Sequence, residues 1–381
     1  MASLLLKNIY KGKKTMTASM TDTVKNLNVE ELKLLARQSG PCVSIQIPAY
    51  QPGAGGGSRQ AYLRQLTHKA EEALRNMDRP EDAERAAAAL ESLIQKLPVE
   101  HGGPGLALFC APGFEAAFET PVAHEHVVVG DHFYLLPHIA AAQTPRDFFV
   151  VGLSRNHLRL FHYQSGRCTE LPLPAGVPAS LEQAGAFDQE DHTVEGRSSA
   201  GPSVGAMRGV RFGVSGDHDS EAEYLRHYFE AVDKGLRETL RGSGLFLAGV
   251  QQETSLYRKA AKHPNIFEAE CHGNPEHSSL DQIAKHARAG AARQYRFICD
   301  RAIQGLSEVR NKVTGTLDVF YAVNAGRVHK IFVAEEPRLP SLQADALNAT
   351  VVIGLRNGAD VFTYPGAEIP GFGPIVAVLR Y

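Results

Sequence analysis

One long amphipathic segment, DSEAEYLRHYFEAVDKGLRETL at residues 219–240, constrains the fold of this chain more than any other feature. Its large apolar residues recur three and four positions apart, which is the period of one helix face: Leu225, Phe229, Val232, Leu236 and Leu240. The apolar run GLFLAGV at 244–250 follows it and is typical of a buried strand. A helix with one apolar face beside such a strand has to pack on a sheet, so the sequence predicts a layered α/β fold.

Three short strand-like segments precede this helix. They are FFVVGLS at 148–154, HLRLFHYQ at 157–164 and CTELPLP at 168–174. The Ser165-Gly166 pair lies between the last two and predicts a turn. Together with the helix and the strand after it, these segments predict a middle domain over residues 146–260.

The part of the chain before this domain is also α/β in pattern. Asn28 can cap a first helix, and the run CVSIQIPAY at 42–50 alternates like a strand. Two further helical patterns follow it. We therefore expect an N-terminal α/β domain over residues 21–145, preceded by a flexible extension at 1–20.

The last part of the chain begins with a helical pattern from Leu280 to about Arg310. Gly290 and Gly305 lower the helical propensity of that pattern. Strand and helix patterns then alternate to the end of the chain, except that TLDVFYAVNAG at 316–326 fits either a strand or a helix and turn. Residues 261–381 are therefore predicted to form a C-terminal α/β sandwich.

Charge and cysteine content exclude several classes of protein. The 40 basic and 42 acidic residues give a net charge of -2, so polyanion binding has to come from local patches. Five widely spaced cysteines without a Cys-x-x-Cys pair favour reduced thiols in the cytoplasm over disulfides or a structural zinc site. No secretory or membrane-spanning run is present. We expect a cytoplasmic protein without a membrane partner, and no cofactor is predicted.

A glycine-rich stretch, EGRSSAGPSVGAMRGVRFG at 195–213, lies just before the long helix. Its Gly-Pro-Ser-Val-Gly run matches the serine-hydrolase pattern, but neither a buried strand nor a helix start flanks it, so that function is disfavoured. Glycines permit close approach to a surface, and arginines bind phosphate in bidentate fashion. Composition alone leaves an RNA-contacting loop and an ordinary flexible loop equally supported.

Other motifs favour structural explanations. GAGGGS at 53–58 lies between a strand and a helix but lacks the spacing of a phosphate-binding loop. The segment HEHVVVGDH places two histidines on one face of a strand, but the sequence supplies no third metal ligand. Its metal-type side chains are His124, His126, Asp131 and His132. Cys271-His272 is interpreted in the same way, and no metal site is predicted.

Three segments in order resemble one family. The strands from VVGLSRNHLRLFHYQSGRCTELPLP, the pair YLRHYFEAVDKGL and LFLAGV, and the chain end GADVFTYPGAEIPGFGPIVAVLRY are similar to archaeo-eukaryotic peptide-chain release factors and Pelota. The opening GPCVSIQIPAY is similar to the bacterial branch of that family. The resemblance covers roughly residues 40–381. It implies a ribonuclease H-like middle domain and a third domain like the ribosomal proteins that bind kink-turn RNA.

The resemblance also implies work at the ribosomal A site. Release factors carry a Gly-Gly-Gln tripeptide in the middle-domain loop, which here corresponds to residues 196–216 and contains neither Gln nor Gly-Gly. A stop-codon-reading motif is also missing. The chain therefore resembles the non-hydrolytic members, such as Pelota-like rescue factors and Balon-like hibernation factors, and no catalytic residue is predicted.

The resemblance implies two partners. One is the ribosome, contacted through ribosomal RNA near the A site on the large ribosomal particle, and the other is a translational GTPase such as elongation factor Tu. The expected RNA-binding loop residues are Arg197, Ser198, Ser199, Gly201, Gly205, Met207, Arg208, Gly209 and Arg211.

Two alternatives to this function remain. One is an RNA-directed nuclease or hydrolase, which FFVVGLS and HLRLFHYQ disfavour because they carry no Asp or Glu. The other is a stress-associated scaffold for proteins, which would bind no RNA.

Overall fold

The computed structural model describes residues 24–49, 59–97, 105–189, 216–336 and 341–381. The strands are β1 Val24–Asn26, β2 Cys42–Pro48, β3 Gly105–Ala111, β4 Phe114–Glu119, β5 His126–Gly130, β6 Asp147–Gly152, β7 Arg159–Gln164, β8 Arg167–Leu171, β9 Leu245–Gly249, β10 Ile266–His272, β11 Lys312–Thr314, β12 Val328–Ala334, β13 Asp360–Tyr364 and β14 Ile375–Leu379. The helices are α1 Val29–Ala36, α2 Arg59–Arg75, α3 Pro80–Lys96, α4 Ile139–Gln143, α5 Leu181–Gln189, α6 Gly216–Leu240, α7 Gln251–Ala260, α8 Leu280–Gln304, α9 Thr316–Asn324 and α10 Ser341–Arg356. The mixed α/β class predicted from the sequence is confirmed.

The described residues divide into two compact units. Among the described residues, one unit is Pro145–Phe297, and the other combines residues 24–144 with Ile298–Tyr381. The segment TLDVFYAVNAG, which the sequence left open, forms helix α9 and the turn after it. No helix among the described residues is both long enough and apolar enough to cross a membrane.

The Pro145–Phe297 unit is built on one five-stranded sheet in the order β10-β9-β6-β7-β8. Strands β6, β9 and β10 are parallel, whereas β7 and β8 follow β6 as antiparallel hairpins. Val150 in the central strand lies opposite Phe161 on one side and Phe246 on the other. This order agrees with the ribonuclease H-like topology that the resemblance implied.

Helices cover both faces of this sheet. The five apolar residues that predicted the helical face of α6 are all fully buried with Tyr228 and Tyr257 in one core. On the other face, Ile283, Ala287 and Ala291 of α8 pack on the aromatic residues of the strands. Fully burying a side chain the size of leucine or phenylalanine contributes about 1.5–3 kcal/mol, so α6 is held chiefly by this face.

The extent of this unit differs from the predicted domain boundary at residue 260. Strand β10 pairs in parallel with β9, and Ile283 of α8 belongs to the core of the same sheet. The segment from Ile266 onward therefore completes the central sheet instead of starting a separate domain. The physical reason is that β9 would otherwise be an open sheet edge with unpaired backbone groups.

The second unit joins two distant parts of the chain. Its first sheet has the order β1-β4-β3-β2-β5 and its second the order β11-β14-β12-β13. Helices α2 and α3 cover one face of the first sheet. The other face shares a continuous core with α9, α10 and the strands of the second sheet. The segments predicted as an N-terminal and a C-terminal domain thus form one compact unit.

Asn348 of α10 ties these two segments together. Its side-chain oxygen accepts hydrogen bonds from the backbone nitrogens of Leu135 and Leu136 at 2.9 and 3.2 Å. Its side-chain nitrogen donates to the carbonyl of Phe133 at 2.9 Å. All three bonds are buried, so the backbone of this turn is satisfied by one residue that lies more than two hundred positions away.

Candidate functional site

The predicted RNA-binding loop, residues 196–216, lies outside the described residues except for Gly216, which begins α6. The same holds for every residue of the predicted site, for the Gly201–Gly205 motif, and for GAGGGS at 53–58. The structure does describe the two helices that flank the loop, α5 and α6. The described part of the candidate site is therefore the base of the loop, which consists of these two helices and the residues that hold them.

Helix α6 extends past the edge of the sheet. It ends at Leu240, just before β9 begins at Leu245, so it runs antiparallel to that strand. The hydroxyl of Tyr228 donates to the carbonyl of Ser154 at 3.3 Å, just beyond the carboxyl end of β6. Twelve residues of α6 precede Tyr228, which corresponds to about 18 Å of helix. The end of the loop at Gly216 is thus carried roughly this far beyond the carboxyl edge of the sheet.

The other flank, α5, is fixed to the same connection between β6 and β7. The backbone nitrogen of Leu181 donates to the carbonyl of Arg155 at 2.8 Å. The nitrogen of Leu158 donates to the carbonyl of Ala179 at 2.8 Å. Ser180 and Gln183 add a reciprocal cap, because the Ser180 hydroxyl accepts from Gln183 and the Gln183 amide accepts from Ala179. Both flanks of the loop therefore rest on residues 154–158.

A polar cluster surrounds this base at the carboxyl ends of the parallel strands. The hydroxyl of Ser154 donates to the carboxylate of Glu276 and accepts from the backbone nitrogen of Asn156 at 3.1 Å. Arg155 lies 3.8 Å from Glu253, which is buried. These residues follow β6, β9 and β10. The chain continues from the central strand β6 to β7 on one side, and β9 lies on its other side. In open α/β sheets this is the position at which ligands bind.

Arg159 locks two of these strand ends together. Its guanidinium donates to the carbonyls of Pro275 and Ser278 at 2.9 Å each and to that of Glu276 at 3.2 Å. It also forms a bidentate pair with Glu170 at 2.7 and 2.8 Å. The segment after β10 is therefore held against β7 and β8 beside the base of the loop.

The two carboxylates of this cluster differ in their electrostatic environment. Burial raises the pKa of Glu253, and the positive charge of Arg155 only partly opposes that rise. The hydroxyl of Ser154 lowers the pKa of Glu276 by donating a hydrogen bond to it. Within the described residues, no group of three or more His, Cys, Asp and Glu side chains could hold a metal ion. The described contacts of the cluster hold the backbone of residues 154–156 in place.

The remaining motif residues lie apart from this base. His124, His126 and Asp131 are exposed, and His126 packs edge-on against the ring of Tyr134 at 5.5 Å. His132 is half-buried, and burial lowers its pKa. In the Pro145–Phe297 unit, burial raises the pKa of the Cys271 thiol. His272 lies 3.6 Å from Glu270, so its described partner is a carboxylate.

Sequence reasoning did not identify Arg159, Glu253 and Glu276. A signal for two of them was present, because Glu253 and Glu276 each come shortly after a parallel strand. The carboxyl ends of neighbouring parallel strands meet at one edge of a sheet. Recognising the segment at 266–272 as a strand of this sheet would have placed Glu276 beside Ser154.

The middle of this chain matches a known protein family. Residues 147–327 match the model of bacterial archaeo-eukaryotic release factor family 3. The resemblance that the sequence indicated is thereby confirmed, because this segment of the chain is similar to that translation-factor family. The match includes the whole sheet of the Pro145–Phe297 unit and both flanks of the predicted loop. No curated protein matches the chain.

Three solved structures give distant likenesses. Archaeal translation termination factor aRF1 is 16% identical over 93% of this chain and 99% of its own, with a TM-score of 0.24. Yeast (S. cerevisiae) Dom34, a translation termination-like factor that interacts with Hbs1, is 11% identical over 74% of each chain, with a TM-score of 0.33. Archaeal Pelota in a model of the ribosome-bound protein with ABCE1 is 10% identical over 94% and 95%, with a TM-score of 0.35. TM-scores this low establish no common arrangement, so the similarity to the release-factor family rests on residues 147–327.

Proposed function

We propose that this protein is a ribosome-associated factor that enters the A site without hydrolysing peptidyl-tRNA. The observation that carries the proposal is the family match over 147–327 in a chain that has no glutamine between Gln189 and Gln251. The tripeptide that positions water in release factors therefore has no counterpart in the matching loop. The outcome of binding is rescue of stalled ribosomes or protection of idle ones.

In this proposal the loop at 196–216 contacts the large ribosomal subunit. Arg197, Arg208 and Arg211 bind ribosomal RNA phosphates, and the glycines between them allow close approach. The base described above supports this role, because both flanking helices are fixed to residues 154–158 and α6 reaches about 18 Å beyond the sheet.

The proposal includes a cytoplasmic location and delivery by a translational GTPase such as elongation factor Tu. GTP-dependent recruitment is measured by adding the purified GTPase with a non-hydrolysable GTP analogue to a ribosome-binding assay. Tighter binding in its presence supports delivery. Equal binding with and without the GTPase removes this part of the proposal and leaves ribosome binding in place.

The main test is co-sedimentation of the purified chain with vacant ribosomes at low and moderate salt. We expect the wild type to pellet, and the Arg208→Glu, Arg211→Glu variant to bind more weakly with a smaller salt slope, by roughly one unit for each lost phosphate contact. Wild type that stays in the supernatant at low salt contradicts the proposal. A release assay on ribosomes that carry peptidyl-tRNA tests the second half, and hydrolysis above background would overturn it.

A further inference from the structure

Helix α8 presents a row of cations on its exposed side. Lys285, Arg288, Arg293 and Arg296 are all exposed, and these four residues are called the basic stripe below. At 100° per residue they lie within one sector of about 140° of the helix surface. The buried face of the same helix points the other way, because Ile283, Ala287 and Ala291 belong to the core of the sheet.

The centre of the basic stripe is small and accessible. Ala289 and Ala292 lie between the cations and are exposed. Side chains this short allow another molecule to approach the helix closely while longer cations reach it from both sides. Eleven residues separate Lys285 from Arg296, which corresponds to about 16 Å along the helix axis. The surface therefore fits an elongated ligand that lies along the helix.

The charge of the basic stripe is not balanced by the neighbouring ion pairs. The described ion pairs of this unit involve other cations, among them Arg258 with Glu270 at 3.2 Å. The acidic residues of α8 are Asp281 and Asp300, which lie four positions outside Lys285 and Arg296 and make no described ion pair with them. Four positive charges in a chain whose net charge is -2 form a local patch with the sign that attracts a polyanion.

Two of the arginines are already positioned by the sheet. One guanidinium nitrogen of Arg293 donates to the carbonyl of Glu270 at 2.9 Å. One nitrogen of Arg288 donates to the carbonyl of Gly166 at 3.4 Å. Each guanidinium has five N–H donors, so further donors remain for a ligand. Arginines held in this way lose less side-chain entropy when they bind an anion.

We propose that the basic stripe binds the phosphate backbone of structured RNA. Planar guanidiniums recognise phosphate in bidentate fashion, and the length of the stripe suits several successive phosphates. The inference rests on the proposed function, to which it adds a second RNA contact, formed by helix α8. An anionic membrane surface is the competing ligand, and the test separates it from RNA.

The test uses two variants of the full chain with equal charge change. Lys285→Ala, Arg296→Ala removes two stripe cations that make no described contact with the core, and Arg64→Ala, Arg75→Ala removes two exposed cations from α2. Each variant is titrated with purified ribosomes and with a labelled RNA hairpin duplex at several salt concentrations. Vesicles of phosphatidylglycerol test the membrane alternative. Circular dichroism confirms that both variants are folded.

We expect the stripe variant to bind both RNA probes more weakly, with a log–log salt slope reduced by about 1.4–1.8 units, while the α2 variant behaves as wild type. Equal binding of the stripe variant and wild type to both probes overturns the inference, as does vesicle binding without duplex binding. If wild type fails to bind ribosomes, the proposed function fails. Duplex binding alone then tests the inference about the basic stripe. Unchanged duplex binding by the stripe variant overturns the inference, and weaker binding supports it.

Discussion

The hydroxyl of Tyr228 donates a hydrogen bond to the carbonyl oxygen of Ser154 at 3.3 Å in the interior of the Pro145–Phe297 unit. Tyr228 is fully buried. Burial raises its pKa well above the usual range, so the phenol stays protonated and remains a donor. This bond fixes the middle of α6 to the end of β6, and the amino-terminal half of α6 projects from that point. The hydrogen bond of this buried phenol thus adds to the apolar face of α6 in holding the base of the proposed ribosome-contacting loop.

Replacing this tyrosine tests the attachment. Tyr228→Phe leaves the carbonyl of Ser154 without that donor and is expected to reduce the stability of the unit by about 1 kcal/mol. Hydrogen-exchange mass spectrometry should show faster exchange in peptides from the amino-terminal half of α6. The matched control is Tyr224→Phe on the same helix, because Tyr224 is 64% exposed and its replacement should change neither quantity. Equal exchange in both variants would contradict the attachment.

Asn348 provides a corresponding test in the other unit. Asn348→Ala removes a side chain that satisfies two backbone nitrogens and one carbonyl in a buried turn. Each of these three buried groups left unpaired costs about 1–3 kcal/mol, so we expect a loss of at least about 3 kcal/mol in the free energy of unfolding, measured with urea. Asn324→Ala serves as the control, because Asn324 is exposed and makes one described side-chain bond, to its own helix.

The Asn348 result also bears on the domain organisation. If the first and last parts of the chain formed independent domains, the variant would increase hydrogen exchange in only one of them. Because they share a core, hydrogen exchange should increase in peptides from both β3 and β12. Increased exchange confined to residues 298–381 would contradict a single cooperative unit.

Local patterns predicted the elements of this fold well, and long-range pairing poorly. The three- and four-residue spacing from Leu225 to Leu240 identified α6 and its buried face, because one helix face follows directly from the chain. The shared core of the second unit left a weaker trace. Strand β2 is buried on both sides, with Val43 and Ile45 under α2 and α3 and Cys42 in the core shared with α10. Its alternating pattern did not reveal what covers the second face.

The candidate site shows the same division. Composition and the resemblance singled out the loop at 196–216, which stays a prediction because its residues lie outside the described structure. The base of the loop came only from the fold, since Ser154 and Glu276 are more than a hundred residues apart and meet because β6 and β10 belong to one sheet. Sequence spacing does not contain that information.

Gly290 illustrates a residue whose role the sequence misjudged. The sequence marked it as a weak point of a helix, yet α8 runs through it without a break. A Cβ atom at this position would lie 2.1 Å from the ring of Phe246, so the glycine is required by packing. Gly290→Ala is expected to lower the stability of the unit by about 1–3 kcal/mol, through overpacking. Gly305→Ala is the control, since nothing lies within 4 Å of its added Cβ atom and stability should be unchanged or slightly higher. Thermal unfolding of both variants distinguishes these outcomes.

His138 predicts how the second unit responds to acid. The residue is fully buried, and burial lowers its pKa from 6.5 to about 4. The amide nitrogen of Gln46 lies 3.2 Å from the Nε2 atom of His138 and donates to it, so the ring is neutral in the folded protein. Between about pH 6.5 and pH 4 the unfolded chain binds a proton that the folded chain does not. The contribution of neutral His138 to the free energy of unfolding is therefore fully present above pH 6.5 and is lost as the pH falls through this window.

The size of this loss and its origin are measurable. One pKa unit corresponds to about 1.4 kcal/mol, so lowering the pH from 7 to 5 should cost about 2 kcal/mol from this group. Urea unfolding of wild type, His138→Gln and the exposed-site control His124→Gln at both pH values isolates the contribution. The His138 variant is less stable at pH 7 but should have a flatter pH dependence than the other two proteins. Parallel pH profiles for all three would show that acid sensitivity arises elsewhere, because a histidine whose protonation does not differ between the folded and unfolded states contributes no slope.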